Sequence, residues 1–287
     1  VSRLILGTVQ FGLDYGIKNA RGKIPETEVA KILDLAEAGL VDTLDTASAY
    51  GNSESVLGRV LGGKPRFRII SKLRTGFEGT VRQELEASLE RLRSPRLHAY
   101  LLHNFEIYRS RTTTISELAY CKREGLIEKV GVSLYHPAEV HTLLKAAEPI
   151  DIVQVPYSML DRRFESVFPL LRKRGIEIHV RSIFLQGALL MDPETLPQGL
   201  SPLRERLTAL CRLSETSGMS VSAICLAFAA NNPLIDAVVI GIDGLDDLAA
   251  NLESFRVRGS AVRHLSYFED IRTDDENIIL PYRWKEV

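Results

Sequence analysis

A carboxylate, a phenol, an ammonium and an imidazole recur in this sequence at one kind of position, the point where a short β-prone run stops. Thr43-Leu44 stops at Asp45, and small residues then lead to Tyr50 and Gly51; the run 67–71 stops at Lys72, and the run 99–102 stops at His103. Brought together in a partly buried pocket, these groups can deliver a proton to a carbonyl oxygen. A free phenol, with a pKa of about 10, is a poor acid at neutral pH. An ammonium about 4 Å away interacts with the phenolate by roughly 4 kcal/mol at intermediate dielectric, enough to lower that pKa by up to about three units. Lys72 is therefore expected to pull the Tyr50 pKa down. Asp45 is expected to keep Lys72 charged and placed, and His103 to hydrogen-bond the carbonyl oxygen and orient the substrate.

The elements that must position these groups repeat along the chain. Leu4-Ile5-Leu6-Gly7-Thr8 reads as a buried strand, followed by a glycine-rich loop and a helix opened by Pro25-Glu26 and ended at Gly39. The same unit recurs behind Asp45, Lys72 and His103, the last followed by a polar loop over 104–113 and a helix through Leu118 to Arg123. It recurs again after runs ending at Ser133, Gln154, Arg181 and Gly241. Eight strand-helix alternations in 287 residues predict a (β/α)₈ TIM barrel forming a single domain over 1–287. A doubly wound sheet is the competitor, but Gly7-Thr8-Val9-Gln10-Phe11-Gly12 is not GxGxxG and no GxxxxGK[ST] occurs. The segment 184–200, with Pro193 and Pro197, reads as a long loop over the barrel mouth, and a helix is expected near 262–271. In this fold sites assemble at the C-terminal strand ends, so Asp45, Lys72, His103, Ser133, Gln154 and Arg181 share one rim.

Composition narrows the function classes. With a formal charge of −1, 45% apolar and 25% charged residues, nothing favours a nucleic-acid partner. No apolar run suggests a membrane span and the N-terminus has no leader pattern, so a cytoplasmic location is expected. Cys121, Cys211 and Cys225 are odd in number without CxxC spacing and read as reduced thiols. No metal cluster is visible, and His136 and His179 stand singly beside or within apolar runs, as structural histidines do.

Asp45-x₄-Tyr50-Gly51, the strand into Lys72 and Leu101-Leu102-His103 resemble the active-site segments of the aldo-keto reductase superfamily, and Gly131-Val132-Ser133 and Val153-Gln154-Val155 resemble its nicotinamide-seating segments. The resemblance runs from Leu6-Gly7-Thr8 to Asn251-Leu252. It implies hydride exchange between NAD(H) or NADP(H) and a small carbonyl or alcohol, with Tyr50 as general acid. It implies further that Ser133 and Gln154 hold the carboxamide, with Gly241 and Asn251 at the cofactor's other end. The pocket expected from it includes His103, Asn104, Arg181 and Gln186, a polar set that points to a sugar-like substrate. Trp284, the only tryptophan, either packs on the barrel wall or overhangs this pocket.

The sequence departs from the family pattern at three places. Leu134 stands where the family has Asn, and Arg181 where it has an aromatic ring stacked on the nicotinamide. A guanidinium there can stack, bind a carboxylate or phosphate of the substrate, or ion-pair within the rim. Near the last strand, where the family carries a cation for the 2′-phosphate of NADP, this chain reads Gly241-Ile242-Asp243-Gly244-Leu245-Asp246-Asp247. A carboxylate accepts from a ribose hydroxyl and repels a phosphate, so NAD(H) is the expected preference, with Asp243 or Asp246 near the ribose. Two other functions compete: a regulatory or cofactor-binding protein with negligible turnover, and a lyase or isomerase in which Lys72 forms a Schiff base.

Overall fold

Strict alternation along each strand sorts the apolar side chains into two cores. The computed structural model describes residues 2–259 and 271–284. Its strands are β1 Arg3–Gly7, β2 Thr43–Asp45, β3 Arg68–Leu73, β4 Leu97–Leu102, β5 Ile127–Ser133, β6 Ile152–Pro156, β7 Glu177–Arg181 and β8 Ala237–Ile240. All pair in parallel with their sequence neighbours, and β1 pairs with β8 to close the barrel. Successive side chains of a strand point to opposite faces. Ile5, Ile70, Ala99, Leu101, Ile152, Ala237 and Val239 form one buried cluster inside the barrel. The larger cluster lies between the strands' outer faces and the helices.

The inner cluster works as a plug with polar layers on either side. On the strand-start side, Arg3, Lys129 and His179 converge on Glu177 at 3.3, 2.5 and 3.3 Å. The His179 bond leads the interactions that hold the Glu177 carboxyl below the usual carboxylate range. His179 is thus structural, and its Nδ1 is buried without a partner. On the strand-end side, one inward step beyond the plug, the same parity places Asp45, Lys72, Ser133, Gln154 and Arg181. Gly131 contributes no side chain because a Cβ there would lie 2.7 Å from the Ile152 carbonyl oxygen and 2.8 Å from Leu101 Cγ. The register of β5 therefore rests on a glycine where the plug is already full.

The helices are α1 Glu26–Ala38, α2 Ser53–Leu61, α3 Val81–Leu92, α4 Phe105–Ser110, α5 Thr114–Arg123, α6 Pro137–Lys145, α7 Phe168–Lys173, α8 Arg204–Ser217, α9 Val221–Ala230, α10 Leu245–Arg256 and α11 Glu276–Ile279. Each long one after a strand buries an apolar stripe on the barrel, as α3 does with Val81, Leu85, Leu89 and Leu92. Its start is fixed by a capping box between Thr80 and Gln83. Helix α4 falls within the stretch expected to be a polar loop: Phe105, Ile107 and Tyr108 are buried. The Asn104 side chain accepts from Ile107 N and starts the helix. The helix expected near 262–271 lies outside the described residues, apart from Ile271. Cys121 and Cys225 are buried, Cys211 is half-buried, and all are free thiols. Among the described residues no single helix is long and apolar enough to cross a membrane.

The loop after β1 ties the mouth together. It touches the loop after β7 through Ile17 N to the Gln186 carbonyl at 3.0 Å and through Gln186 Nε2 to the Tyr15 hydroxyl at 2.9 Å. It also lies flat on the turn that carries Tyr50. A Cβ on Gly12 would sit 1.8 Å from the Tyr50 carbonyl oxygen and 2.5 Å from Ser53 N. Gly51 faces it with φ +54°, a left-handed conformation that suits glycine. Gly12→Ala is therefore expected to force this turn off the β1 loop and to lower stability by about 1–3 kcal/mol, the usual cost of overpacking. Urea unfolding would measure it, and an unchanged midpoint would contradict the contact.

Candidate active site

Asp45 closes β2 and spends every acceptor on the frame. Its backbone oxygen takes Thr8 N at 3.0 Å and the Thr8 hydroxyl at 3.1 Å, which fastens β2 to β1. Its carboxylate takes Lys72 Nζ on Oδ1 at 2.5 Å and Gln154 Nε2 on Oδ2 at 2.7 Å. Lys72 donates also to the Thr46 carbonyl at 3.0 Å. Asp45 is 3% and Lys72 1% exposed, so the pair is held in a medium where charges must be matched. Burial lowers the Lys72 ammonium pKa and Asp45 opposes that shift. Strand β3 does not stop at Lys72 but runs on to Leu73, which keeps the ammonium beneath the cleft floor.

Above the pair stand Tyr50 and His103. Lys72 Nζ lies 5.2 Å from the centre of the Tyr50 ring. The Tyr50 and His103 rings meet edge to face, with centroids 5.4 Å apart at 78°. His103 follows β4 and its backbone N–H is bonded to the Leu73 carbonyl at 3.0 Å, so strand pairing sets its height. Burial raises the Tyr50 phenol above its ordinary value, Asp45 adds to the rise, and Arg181 opposes it. This is the reverse of the lowering expected from Lys72. The first cause is burial, which disfavours the phenolate; Asp45, which lies against the ammonium, adds to the rise, so the ring does not face an uncompensated positive charge. The His103 imidazole is driven down to about 3, first by burial and then by Lys72 and Arg181. It is neutral at ordinary pH and offers an N–H hydrogen bond without a charge.

Arg181, at the end of β7, is a cation that the frame does not neutralise. Its guanidinium donates to Ser133 Oγ at 3.4 Å, Ser182 Oγ at 3.3 Å and the Leu134 carbonyl at 3.3 Å. It lies over the Tyr135 ring, 4.3 Å from the centroid. Among the described residues no carboxylate forms an ion pair with it, so the rim ion pair considered from sequence is not formed.

A cleft of about 680 Å³ opens above these groups. Asp45, Tyr50, His103, Ser133, Gln154, Arg181, Gln186, Gly241, Asp243 and Asn251 all line it. Lys72 lies beneath the cleft and does not line it, and neither do Asn104 and Trp284. Asn104 faces its own helix as a cap, and the Trp284 indole donates to the Ile278 carbonyl at 3.2 Å against the outer core. The tail reaches the cleft through Pro281 and Tyr282, and the Tyr282 ring meets Tyr135 edge to face at 5.1 Å. Gln10, Tyr15, Lys18, Tyr135 and Asp247 also line the cleft and were not singled out from sequence. The glycine-rich stretch 10–16 was a visible signal for the first two.

At the far wall, Gln10 Nε2 donates to Asp243 Oδ1 at 3.3 Å, and Asp247 Oδ2 accepts Asp243 N at 3.0 Å. Burial and then Asp247 raise the Asp243 carboxyl, while Lys18 and Arg21 pull the other way. Asp247, and not the expected Asp246, lines the cleft beside Asp243. The loop after β1 also brings a cation that a count along 241–247 misses: Arg21 donates to the Asp243 carbonyl at 3.1 Å and pairs with Glu28 at 2.9 Å. Gln10 Oε1 is buried with no partner, an orphan acceptor suited to a hydroxyl-bearing ligand. Together with the walls made by Gly7, Gly16, Gly187 and Gly241, this fits an elongated polar molecule such as a dinucleotide. Among the described residues no group of three or more His, Cys, Asp or Glu could hold a metal ion.

The comparisons with known proteins agree with this geometry. Residues 3–263 match the model of the Aldo/keto reductase family. The uncharacterized oxidoreductase YqkF of Bacillus subtilis is 25% identical over 259 residues, 81% of this chain and 84% of its own length. The NADH-specific methylglyoxal reductase of Escherichia coli is 28% identical over 186 residues, 55% of this chain and 56% of its own. In fold, the chain superposes on an aldo-keto reductase of Bacillus halodurans solved in its holo form with a TM-score of 0.77, at 23% identity and over 97% of this chain and 95% of that one.

Removing one member of a buried pair leaves the other uncompensated, at a cost of about 3–5 kcal/mol. Lys72→Met is expected to show that loss in urea unfolding. The double variant Asp45→Asn, Lys72→Met should recover most of it, because no lone charge remains. A single variant as stable as wild type would contradict the pairing.

Proposed function

The chain belongs to the aldo-keto reductase family of oxidoreductases, and from that premise we propose that it interconverts a carbonyl and an alcohol on a small, polar, sugar-like substrate, with Tyr50 as general acid and base. The observation that carries this is the stack of Asp45, Lys72, Tyr50 and His103 at one wall of the cleft, with the charged pair below and the two donors above. A nicotinamide bound in the cleft supplies or accepts the hydride. Ser133, Gln154, Gly241, Asp243 and Asn251 are the residues we assign to holding the dinucleotide.

In reduction, the neutral His103 imidazole orients the carbonyl oxygen by a hydrogen bond, and Tyr50 donates its proton to that oxygen as it gains alkoxide character. A phenol held above its ordinary pKa keeps its proton in the ground state. It gives that proton up only to a strong base, which is what the forming alkoxide becomes. Oxidation runs the same proton backward. Lys72 serves through Asp45 and by position. It is buried under the cleft and bonded twice, so it has no access for Schiff-base formation.

We assign a preference for NAD(H), supported by Asp243 and Asp247 on the cleft wall. The NADH specificity named for the E. coli relative points the same way. The Arg21 guanidinium beside this wall is engaged by Glu28 and so is less available to a 2′-phosphate.

The test is calorimetric titration of NADH and NADPH into wild type and Tyr50→Phe, followed by carbonyl reduction assays on both. NADH is expected to bind more tightly than NADPH, with affinity kept and turnover reduced at least about a hundredfold in the variant, the usual worth of a positioned acid. Equal or tighter NADPH binding would overturn the cofactor assignment. Undiminished turnover in the variant would overturn the role of Tyr50.

A further inference from the structure

The charge that the site leaves over points to a feature of the substrate. Lys72 is neutralised by Asp45 at 2.5 Å, Arg21 by Glu28 at 2.9 Å and Arg163 by Asp161 at 2.9 Å. Arg181 lines the same cleft as Tyr50 and His103, and its polar contacts are all to neutral oxygens at 3.3 to 3.4 Å. Contacts of that length to uncharged acceptors are weak. A guanidinium carries five N–H groups, and these contacts use one on each nitrogen. One N–H therefore remains on each terminal nitrogen, the pair that binds a carboxylate in a two-pronged fashion.

The guanidinium is also held in place beforehand. It lies over the Tyr135 ring, 4.3 Å from the centroid, and Tyr135 meets the Tyr282 ring edge to face at 5.1 Å. Ser182, the next residue, takes φ +63°, and Leu185 and Gln186 follow at +50° and +55°. Non-glycine residues in this region cost free energy, so the backbone leaving Arg181 is set by the surrounding fold. A partly buried cation fixed by an aromatic face, with a cleft in front of it, is a preorganised anion site.

Resting on the reductase reading above, we propose that Arg181 binds a carboxylate carried by the substrate itself, so that the enzyme acts on an oxo acid and its hydroxy acid. The carboxylate is a handle that fixes the carbonyl against Tyr50 and His103. Hydride adds to the carbonyl carbon, the Tyr50 proton goes to the oxygen, and no bond to the carboxylate changes. The field of Arg181 reaches Tyr50, Lys72 and His103 together. The cations that act on Asp243, by contrast, are Lys18 and Arg21. Arg181 lines one cleft with Tyr50 and His103, the two groups assigned to the carbonyl oxygen. A carboxylate docked there would offset its opposition to the raised Tyr50 phenol, tying substrate binding to the acid's protonation.

The experiment uses benzoate, benzamide and phenyl phosphate titrated calorimetrically into the full chain saturated with NADH, for wild type, Arg181→Met and Arg181→Lys. Benzoate is expected to bind wild type at least about tenfold more tightly than benzamide, the size of a charged hydrogen bond. The preference should vanish in Arg181→Met and persist in part in Arg181→Lys. Equal affinity for the two probes, a preference that survives in Arg181→Met, or tighter binding of phenyl phosphate than of benzoate would each overturn the assignment. So would a loss of NADH affinity in Arg181→Met without any change in benzoate selectivity, which would give the guanidinium to the dinucleotide. Reduction of 2-, 3- and 4-formylbenzoate against their methyl esters separates this proposal from the reductase reading. Faster turnover of at least one acid than of its ester supports the handle, esters reduced as well as acids overturn the handle alone, and no reduction of any member overturns the reductase reading.

Discussion

Everything at the mouth of this barrel depends on a buried ion pair, Asp45 with Lys72. A carboxylate and an ammonium removed from water are tolerated only when matched and hydrogen-bonded. Here both carboxylate oxygens and the ammonium are so satisfied, by Gln154 and the Thr46 carbonyl as well as by each other. The pair joins β2, β3 and β6 across the barrel top, and the Thr8 contacts to the Asp45 carbonyl add β1. The apolar plug of Ile70, Leu101, Ile152 and their neighbours sits directly beneath. It prevents either charge from sinking into the barrel, and the Tyr50 turn, pinned by Gly12, closes the pair from above.

Burial and the neighbouring charges together set the protonation of the groups above the pair. Tyr50 responds to burial and to Asp45 more than to the ammonium, so it stays a neutral donor. His103 stays neutral first because it is buried and then because Lys72 and Arg181 oppose its protonation. Two uncharged donors side by side in the cleft are suited to a carbonyl oxygen that becomes negative during reaction, because they stabilise the charge as it develops. The cation without a carboxylate partner in the same cleft as these donors is Arg181, held over the Tyr135 ring. The site therefore separates its roles: the pair supplies position, the neutral donors supply chemistry and the free guanidinium supplies attraction.

The barrel was legible because its signals are periodic. Eight apolar runs, each stopped by a polar or glycine residue, gave the strand ends to within two residues, and inward parity then put Asp45, Lys72, Ser133, Gln154 and Arg181 on one rim. What failed depended on information that a linear pattern does not carry. Asn104 looks like a pocket residue beside His103, but the buried residues Phe105, Ile107 and Tyr108 make a short helix that needs its side chain as a cap. Trp284 is large and solitary, yet a carbonyl is available to its N–H away from the cleft, and Tyr282 takes the overhanging place. Arg21 lies 222 positions from Asp243 and meets it only after the barrel closes. The direction of the Tyr50 shift is the reverse of that expected because a pairwise interaction with Lys72 leaves out the burial of the phenol, the largest effect, and the Asp45 carboxylate beside the ammonium.

The central claim, that the Asp45–Lys72 pair leaves Tyr50 as a buried neutral phenol, is tested most directly by titrating that phenol. Tyrosine labelled with ¹³C at Cζ would be followed by NMR against pH, with Tyr50→Phe assigning the resonance, in wild type and in Asp45→Asn. The account predicts that Tyr50 in wild type keeps its proton past the ordinary phenol value of 10.0. It also predicts that the titration moves down in Asp45→Asn, where the ammonium field is no longer cancelled. A wild-type phenol that titrates below that value, or one that Asp45→Asn leaves unmoved, would contradict it.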